Sequence, residues 1–142
     1  MRPFNLAFAV VVSSFAVPAQ RFLASHCDPV GGDRLGASVA AAGDVDGDGH
    51  GDWIVGADGY NGTELGNARV FSGLDGRELH RIQTTTLNSR FGRSVAGVGD
   101  LDNDGRADFA VGATRDGSGV VTLYSGATGA TFARIPDPNG SA

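Results

Sequence analysis

The chain has no lysine, and its 142 residues include only one cysteine, five prolines and two glutamates. Without lysine, all 11 basic residues are arginine, set against 16 acids of which 14 are aspartate, for a formal net charge of -5. That balance repels a phosphate backbone, so nucleic acid is excluded as a partner and cations are the favoured ligands. The lone Cys27 excludes an intrachain disulfide framework and any CxxC zinc site. The bulky His26 just before it stands where a lipid-anchor signal needs a small residue.

Long apolar runs are also missing. The longest, Leu6 to Val17, is broken by Ser13 and Ser14 and falls short of the ~20 residues that a membrane span needs. With Arg2 ahead of it and Val17-Pro18-Ala19 behind, residues 1–19 read as a secretory signal, and the mature chain is expected to begin near Gln20. A catalytic set is absent too. His26, His50 and His80 stand beside no GxSxG elbow, and no GxGxxG or phosphate loop follows a strand. Ser38 and Ser94 recur at equivalent positions and read as repeat structure, so the chain is not expected to be an enzyme.

What is present is repetition. Leu35 to Ala57 (LGASVAAAGDVDGDGHGDWIVGA) returns 56 residues later as Phe91 to Ala113 (FGRSVAGVGDLDNDGRADFAVGA), and the likeness continues from Ala68 and Val120 after a shorter loop. Apolar and small residues alternate in short runs bounded by Gly, Asp, Asn and Ser, which predicts strands. The runs are Ser38 to Ala42, Trp53 to Ala57, Ala68 to Ser72 and Glu78 to Ile82, then Ser94 to Val98, Phe109 to Ala113, Val120 to Ser125 and Thr131 to Ile135. Each unit is therefore all-β with four strands: 35–90 is the first and 91–142 the second. Residues 21–34 align with the last strand and exit loop of a preceding unit. Trp53 and Phe109 share one register, as do Phe71 and Tyr124. These rings pack either between units or within one.

Between the first two strands of each unit lies a nine-residue DxDxDGxxD loop, with Asp44, Asp46, Asp48 and Asp52 in one copy and Asp100, Asp102, Asp104 and Asp108 in the other. Carboxylates at this spacing repel one another unless a cation sits among them. Positions one, three and five aim oxygens inward, glycine at six permits the turn, position seven lends its carbonyl and the acid at nine closes the sphere. His50 and Arg106 occupy position seven, so each is expected to contribute a backbone carbonyl only, with its side chain facing solvent. Many mixed, loop-borne oxygen ligands favour calcium over magnesium, one ion per loop. An EF-hand would need a glutamate at position twelve, where Val55 and Val111 stand.

These residues resemble the FG-GAP repeats of the integrin alpha-subunit N-terminal β-propeller. The second unit opens on Phe91-Gly92, where the first has Leu35-Gly36. The closing motif is Gly56-Ala57-Asp58 and Gly112-Ala113-Thr114, without the family's proline. The resemblance implies β-propeller blades of four antiparallel strands, here two blades plus the orphan strand of 21–34, in a partial propeller whose calcium ions rigidify the blades. It also implies a secreted or cell-surface, non-enzymatic module for adhesion or recognition of a protein or carbohydrate ligand. The alternative is an accessory propeller piece of a larger exported hydrolase. Propellers have about four to eight blades, so further blades or copies of the chain are expected to complete the ring. Asn61-Gly62-Thr63 and Asn139-Gly140-Ser141 are glycosylation sequons.

Overall fold

The computed structural model describes residues 34–59 and 64–138. The expected signal at 1–19, residues 21–33 of the orphan strand expected at 21–34, Cys27 and both sequon asparagines lie outside the described residues.

Eight strands form two four-stranded antiparallel meanders. The first sheet holds β1 (Leu35–Gly43), β2 (Asp52–Ala57), β3 (Asn67–Phe71) and β4 (Glu78–Gln83). The second holds β5 (Phe91–Gly99), β6 (Asp108–Ala113), β7 (Val120–Tyr124) and β8 (Thr131–Pro136). Both have the form of β-propeller blades. No helix among the described residues is long and apolar enough to cross a membrane.

All eight expected strands are present. β1 and β5 begin three residues earlier than the alternation suggests, because Leu35 pairs with Ala57 and Phe91 with Ala113 ahead of a register shift. The shift is a bulge built on left-handed glycines, Gly36 at φ 94° and Gly92 at φ 85°. A tight turn precedes each: Ala37 N–H donates to the Arg34 carbonyl at 3.1 Å and Arg93 N–H to that of Arg90 at 3.2 Å.

The sheets share one core. Ile54, Ala68 and Val70 of the first pack against Phe91, Phe109, Val111 and Tyr124 of the second. The aromatic rings pack in both of the expected ways. Trp53 lies 5.1 Å from Phe71 within the first sheet, while Phe109 stacks on Tyr124 at 5.5 Å in its own sheet and meets His80 of the other at 5.9 Å. His80 also donates Nε2–H to the Gly126 carbonyl at 2.6 Å, tying the sheets together near the carboxylate loops.

The tightest seam is at the β5 turn. Ser38 Oγ donates to the Gly92 carbonyl at 2.9 Å. A Cβ on Gly56 would stand 2.0 Å from that same oxygen, so only glycine lets the backbones approach this closely. Arg93 donates to buried Asp58 at 3.2 Å across the same seam.

Candidate metal centres

Each β-meander carries its carboxylates in the loop joining its first two strands, and backbone amides hold that loop in shape. In the first loop Asp44 Oδ1 accepts from Gly47 N–H at 2.7 Å and Asp48 N–H at 3.0 Å, and Oδ2 accepts from Gly49 N–H at 2.9 Å. Gly49 has φ 85° and its counterpart Gly105 φ 88°, a left-handed turn that side-chain-bearing residues resist. In the second loop Asp100 repeats the pattern, accepting from Asp104 N–H at 3.1 Å and Gly105 N–H at 2.9 Å.

The acid at position nine has another task in both copies. Asp52 is 2% exposed. It accepts from Val45 N–H at 2.7 Å, Asp46 N–H at 3.4 Å and, across the sheet, Gly73 N–H at 2.9 Å. Asp108 likewise accepts from Leu101 at 2.7 Å, Asp102 at 3.2 Å and Gly126 at 2.9 Å. Burial pushes the Asp52 carboxyl above its ordinary value, the Gly73 and Val45 amides pull it back, and the charge of Asp46 adds to the rise.

Of the expected ligands, Asp44, Asp46 and Asp48 each place an oxygen within 4.8 Å of the others, as do Asp100, Asp102 and Asp108. Asp52 stands outside the first cluster, whereas Asp108, held by the equivalent amides, is part of the second. Asp104 stands outside the second, and its Oδ2 accepts from Ser125 Oγ at 3.2 Å. Asp48 Oδ2 is buried without a hydrogen-bond partner. A buried anionic oxygen left this way is costly, and a hard divalent cation between Asp44, Asp46 and Asp48 would satisfy it. The donor set, all oxygen in a glycine-bearing loop, fits such an ion.

The two position-seven side chains lie in different surroundings. His50 is solvent-facing at 54% exposure, its Nδ1 3.3 Å from Asp48 Oδ1. Arg106 is not free: it reaches across the seam and donates a guanidinium N–H to the Asp46 carbonyl oxygen of the other loop. The adjacent Ala107 N–H donates to the Asp44 carbonyl at 2.9 Å. The two loops therefore abut, and a long side chain at position seven finds an acceptor there. Sequence reasoning also missed Arg77, whose guanidinium lies 2.7 Å from Asp46 Oδ2. That hydrogen bond raises the pKa of Arg77.

The family model of the FG-GAP repeat matches residues 91–124. The chain carries an FG-GAP repeat. Among the relatives of this FG-GAP protein, integrin alpha-4 of Xenopus laevis is 36% identical over 104 residues, covering 67% of this chain and 10% of that protein. Integrin alpha pat-2 of Caenorhabditis briggsae is 36% identical over 112 residues, 73% of this chain and 9% of the relative. Phosphatidylinositol-glycan-specific phospholipase D of Rattus norvegicus is 39% identical over 108 residues, 66% of this chain and 12% of the relative. The chain thus spans about a tenth of the length of the curated relatives it matches.

Proposed function

We propose that this FG-GAP chain is a secreted or cell-surface, calcium-stabilised module for adhesion or ligand recognition, without catalysis of its own. The observation that carries the reading is the pair of carboxylate loops, above all the buried, unpartnered Asp48 Oδ2. Asp44, Asp46 and Asp48 would hold one calcium ion with the His50 carbonyl and Asp52 closing its surroundings; Asp100, Asp102, Asp104, the Arg106 carbonyl and Asp108 would hold the second. The ions supply charge compensation and rigidity at the blade loops. The ligand is a protein or carbohydrate at a cell surface, in keeping with the integrin alpha relatives.

Isothermal titration tests the metal assignment. The parent chain is expected to take up two calcium ions, each with a dissociation constant on the order of 0.1 to 1 mM, and the Asp46→Ala, Asp102→Ala double variant none. Two ions still bound by the double variant would overturn the assignment.

A second reading, an accessory propeller segment of a larger exported hydrolase, is favoured by the phospholipase D relative. The coding sequence on either side of these residues separates the two: a catalytic domain in the same reading frame supports the hydrolase, and further FG-GAP units alone support the adhesion module.

A further inference from the structure

A cavity of about 220 Å³ lies between the loop that joins β4 to β5 and the β7–β8 pair, and none of the carboxylate-loop residues lines it. Its walls are held by the protein itself. Thr84 N–H donates to the Gly66 carbonyl at 3.1 Å, and the Ser89 carbonyl accepts from Arg115 N–H at 2.9 Å, so the joining loop is pinned near both of its ends. Thr84 Oγ1 accepts from Thr86 N–H at 3.1 Å, which shapes the turn between them. On the opposite wall Thr122 and Arg134 are cross-strand partners on β7 and β8, as are Tyr124 and Thr131. Thr122, Tyr124 and Phe91 are buried.

The lining is polar, uncharged on balance and rich in hydroxyls. Thr84, Thr85, Thr86, Thr122 and Thr131 border the space with Gln83, and each of these side chains can both donate and accept a hydrogen bond. The two charged residues of the lining answer each other: Arg134 donates to Asp116 Oδ2 at 2.7 Å. Burial raises the pKa of Tyr124, against hydrogen bonds from Thr131 and Thr122, so its hydroxyl stays protonated. Phe91, Val120 and the Tyr124 ring supply an apolar wall. The blade pattern does not impose this lining. At the places of Thr122 and Thr131 the first sheet has the charged Arg69 and Glu78, and Arg69 is buried with its Nε–H on Asn67 Oδ1 at 3.2 Å.

We propose that this cavity is a subsite for one neutral sugar ring of a glycan. The inference rests on the reading of the chain as a recognition module and names the class of its ligand. A sugar ring carries several hydroxyls, each a donor and an acceptor, on a body whose C–H faces are apolar. Threonine and glutamine match the hydroxyls in both senses, and Phe91, Val120 and Tyr124 offer a surface to the C–H face. The Asp116–Arg134 pair sets a carboxylate acceptor beside the planar donor fork of arginine, an arrangement suited to neighbouring hydroxyls. A phosphate or an acidic sugar would have to draw Arg134 away from Asp116, and a lipid tail would strip water from the threonines without replacing it. The volume falls below the roughly 300 to 1,000 Å³ of pockets that enclose drug-sized ligands, so the space suits one ring, with any further rings outside it.

Saturation-transfer NMR on the full chain in calcium-containing buffer tests the subsite, with the methyl glycosides of glucose, galactose, mannose, fucose and N-acetylglucosamine as probes. At least one is expected to receive magnetisation, with a dissociation constant on the order of 1 mM. The same glycoside is expected to shift the backbone amides of Thr84 to Thr86 and of Thr122 to Tyr124. Thr122→Val nearly keeps the shape while removing one hydroxyl, and is expected to weaken that glycoside by roughly three- to ten-fold. Circular dichroism establishes that the variant is folded, and Thr131→Val replaces it should it not be. Methyl glucuronide is expected to bind more weakly than the best neutral glycoside. Absence of transfer to every glycoside, shifts confined to residues 100–108, a folded variant with parental affinity, or tighter binding of the glucuronide would overturn the proposal. A parent that takes up two calcium ions yet binds no glycoside would remove the sugar subsite alone. A glycoside bound at these amides by a chain that takes up no calcium would remove the calcium reading and keep the subsite.

Discussion

Asp48 and Asp52 lie four residues apart in one loop, and the structure gives them opposite roles. Asp52 satisfies three backbone N–H groups in a buried setting, so Asp52→Ala is expected to cost about 3 kcal/mol through donors left unpaired. Asp48 Oδ2 has no partner to lose, and Asp48 Oδ1 accepts from the exposed His50 N–H at 2.8 Å and lies beside its ring, groups that water can satisfy in its place. Asp48→Ala should therefore stay within about 0.5 kcal/mol of the parent in chelator, yet bind calcium poorly at the first loop. Urea unfolding in chelator separates the two; equal losses would show that the loop is held by both carboxylates alike. Because the folded pKa of Asp52 is raised, its titration favours the fold below the unfolded value and loses that contribution as pH rises through the folded one. Arg77 competes with any cation for Asp46 Oδ2. An exposed pair of this kind is weak, so Arg77→Ala is expected to tighten calcium at the first loop by roughly two- to five-fold. Titration in an Asp102→Ala background checks it, and an unchanged or weaker affinity would remove Arg77 as a competitor. The aspartates were legible in the sequence because their spacing is contained in nine residues. Arg77 and Ser125 were not, since they arrive from 31 and 21 residues away in the turns that follow β3 and β7, and no local pattern encodes such a meeting.

At the scale of the strand and sheet, alternation marked all eight strands, because one face of each meander is apolar and the turns between are rich in Gly and Asp. It could not mark the bulges that lengthen β1 and β5, which depend on glycines in left-handed geometry, nor that Arg106 would cross to its neighbour's loop. Equivalent glycines in the two sheets now have different consequences. Gly56→Ala drives a Cβ into the backbone carbonyl of Gly92. It is expected to cost ~3 kcal/mol, as overpacking against an element that cannot step aside. Gly112→Ala meets only the Ser94 side chain, whose hydroxyl can rotate, and is expected to cost less than ~1 kcal/mol. Denaturant midpoints of the two variants make the comparison. Similar losses would mean that the glycines answer to their own sheets and not to the seam.

Across the whole molecule, the two carboxylate loops touch each other at the seam through Ala107 N–H on the Asp44 carbonyl and Arg106 on the Asp46 carbonyl. A cation that stiffens either loop therefore stiffens the contact between sheets as well as the strands beside it. The proposed calcium ions then act as staples for a chain whose single cysteine provides no intrachain disulfide. At about 1 mM calcium and a dissociation constant near 0.3 mM, each occupied site adds roughly 0.8 kcal/mol, and two add about 1.6 kcal/mol, if the unfolded chain does not bind. For a chain of this size a change of about 1 kcal/mol moves the melting midpoint by several degrees. Thermal unfolding followed by circular dichroism is expected to show a midpoint lowered by chelator and restored by calcium, with magnesium restoring less. The Asp46→Ala, Asp102→Ala variant should melt at one temperature in all three conditions. Identical curves for the folded parent with and without chelator would exclude the staple, because a hard cation bound only to the native loops cannot leave the midpoint where it was.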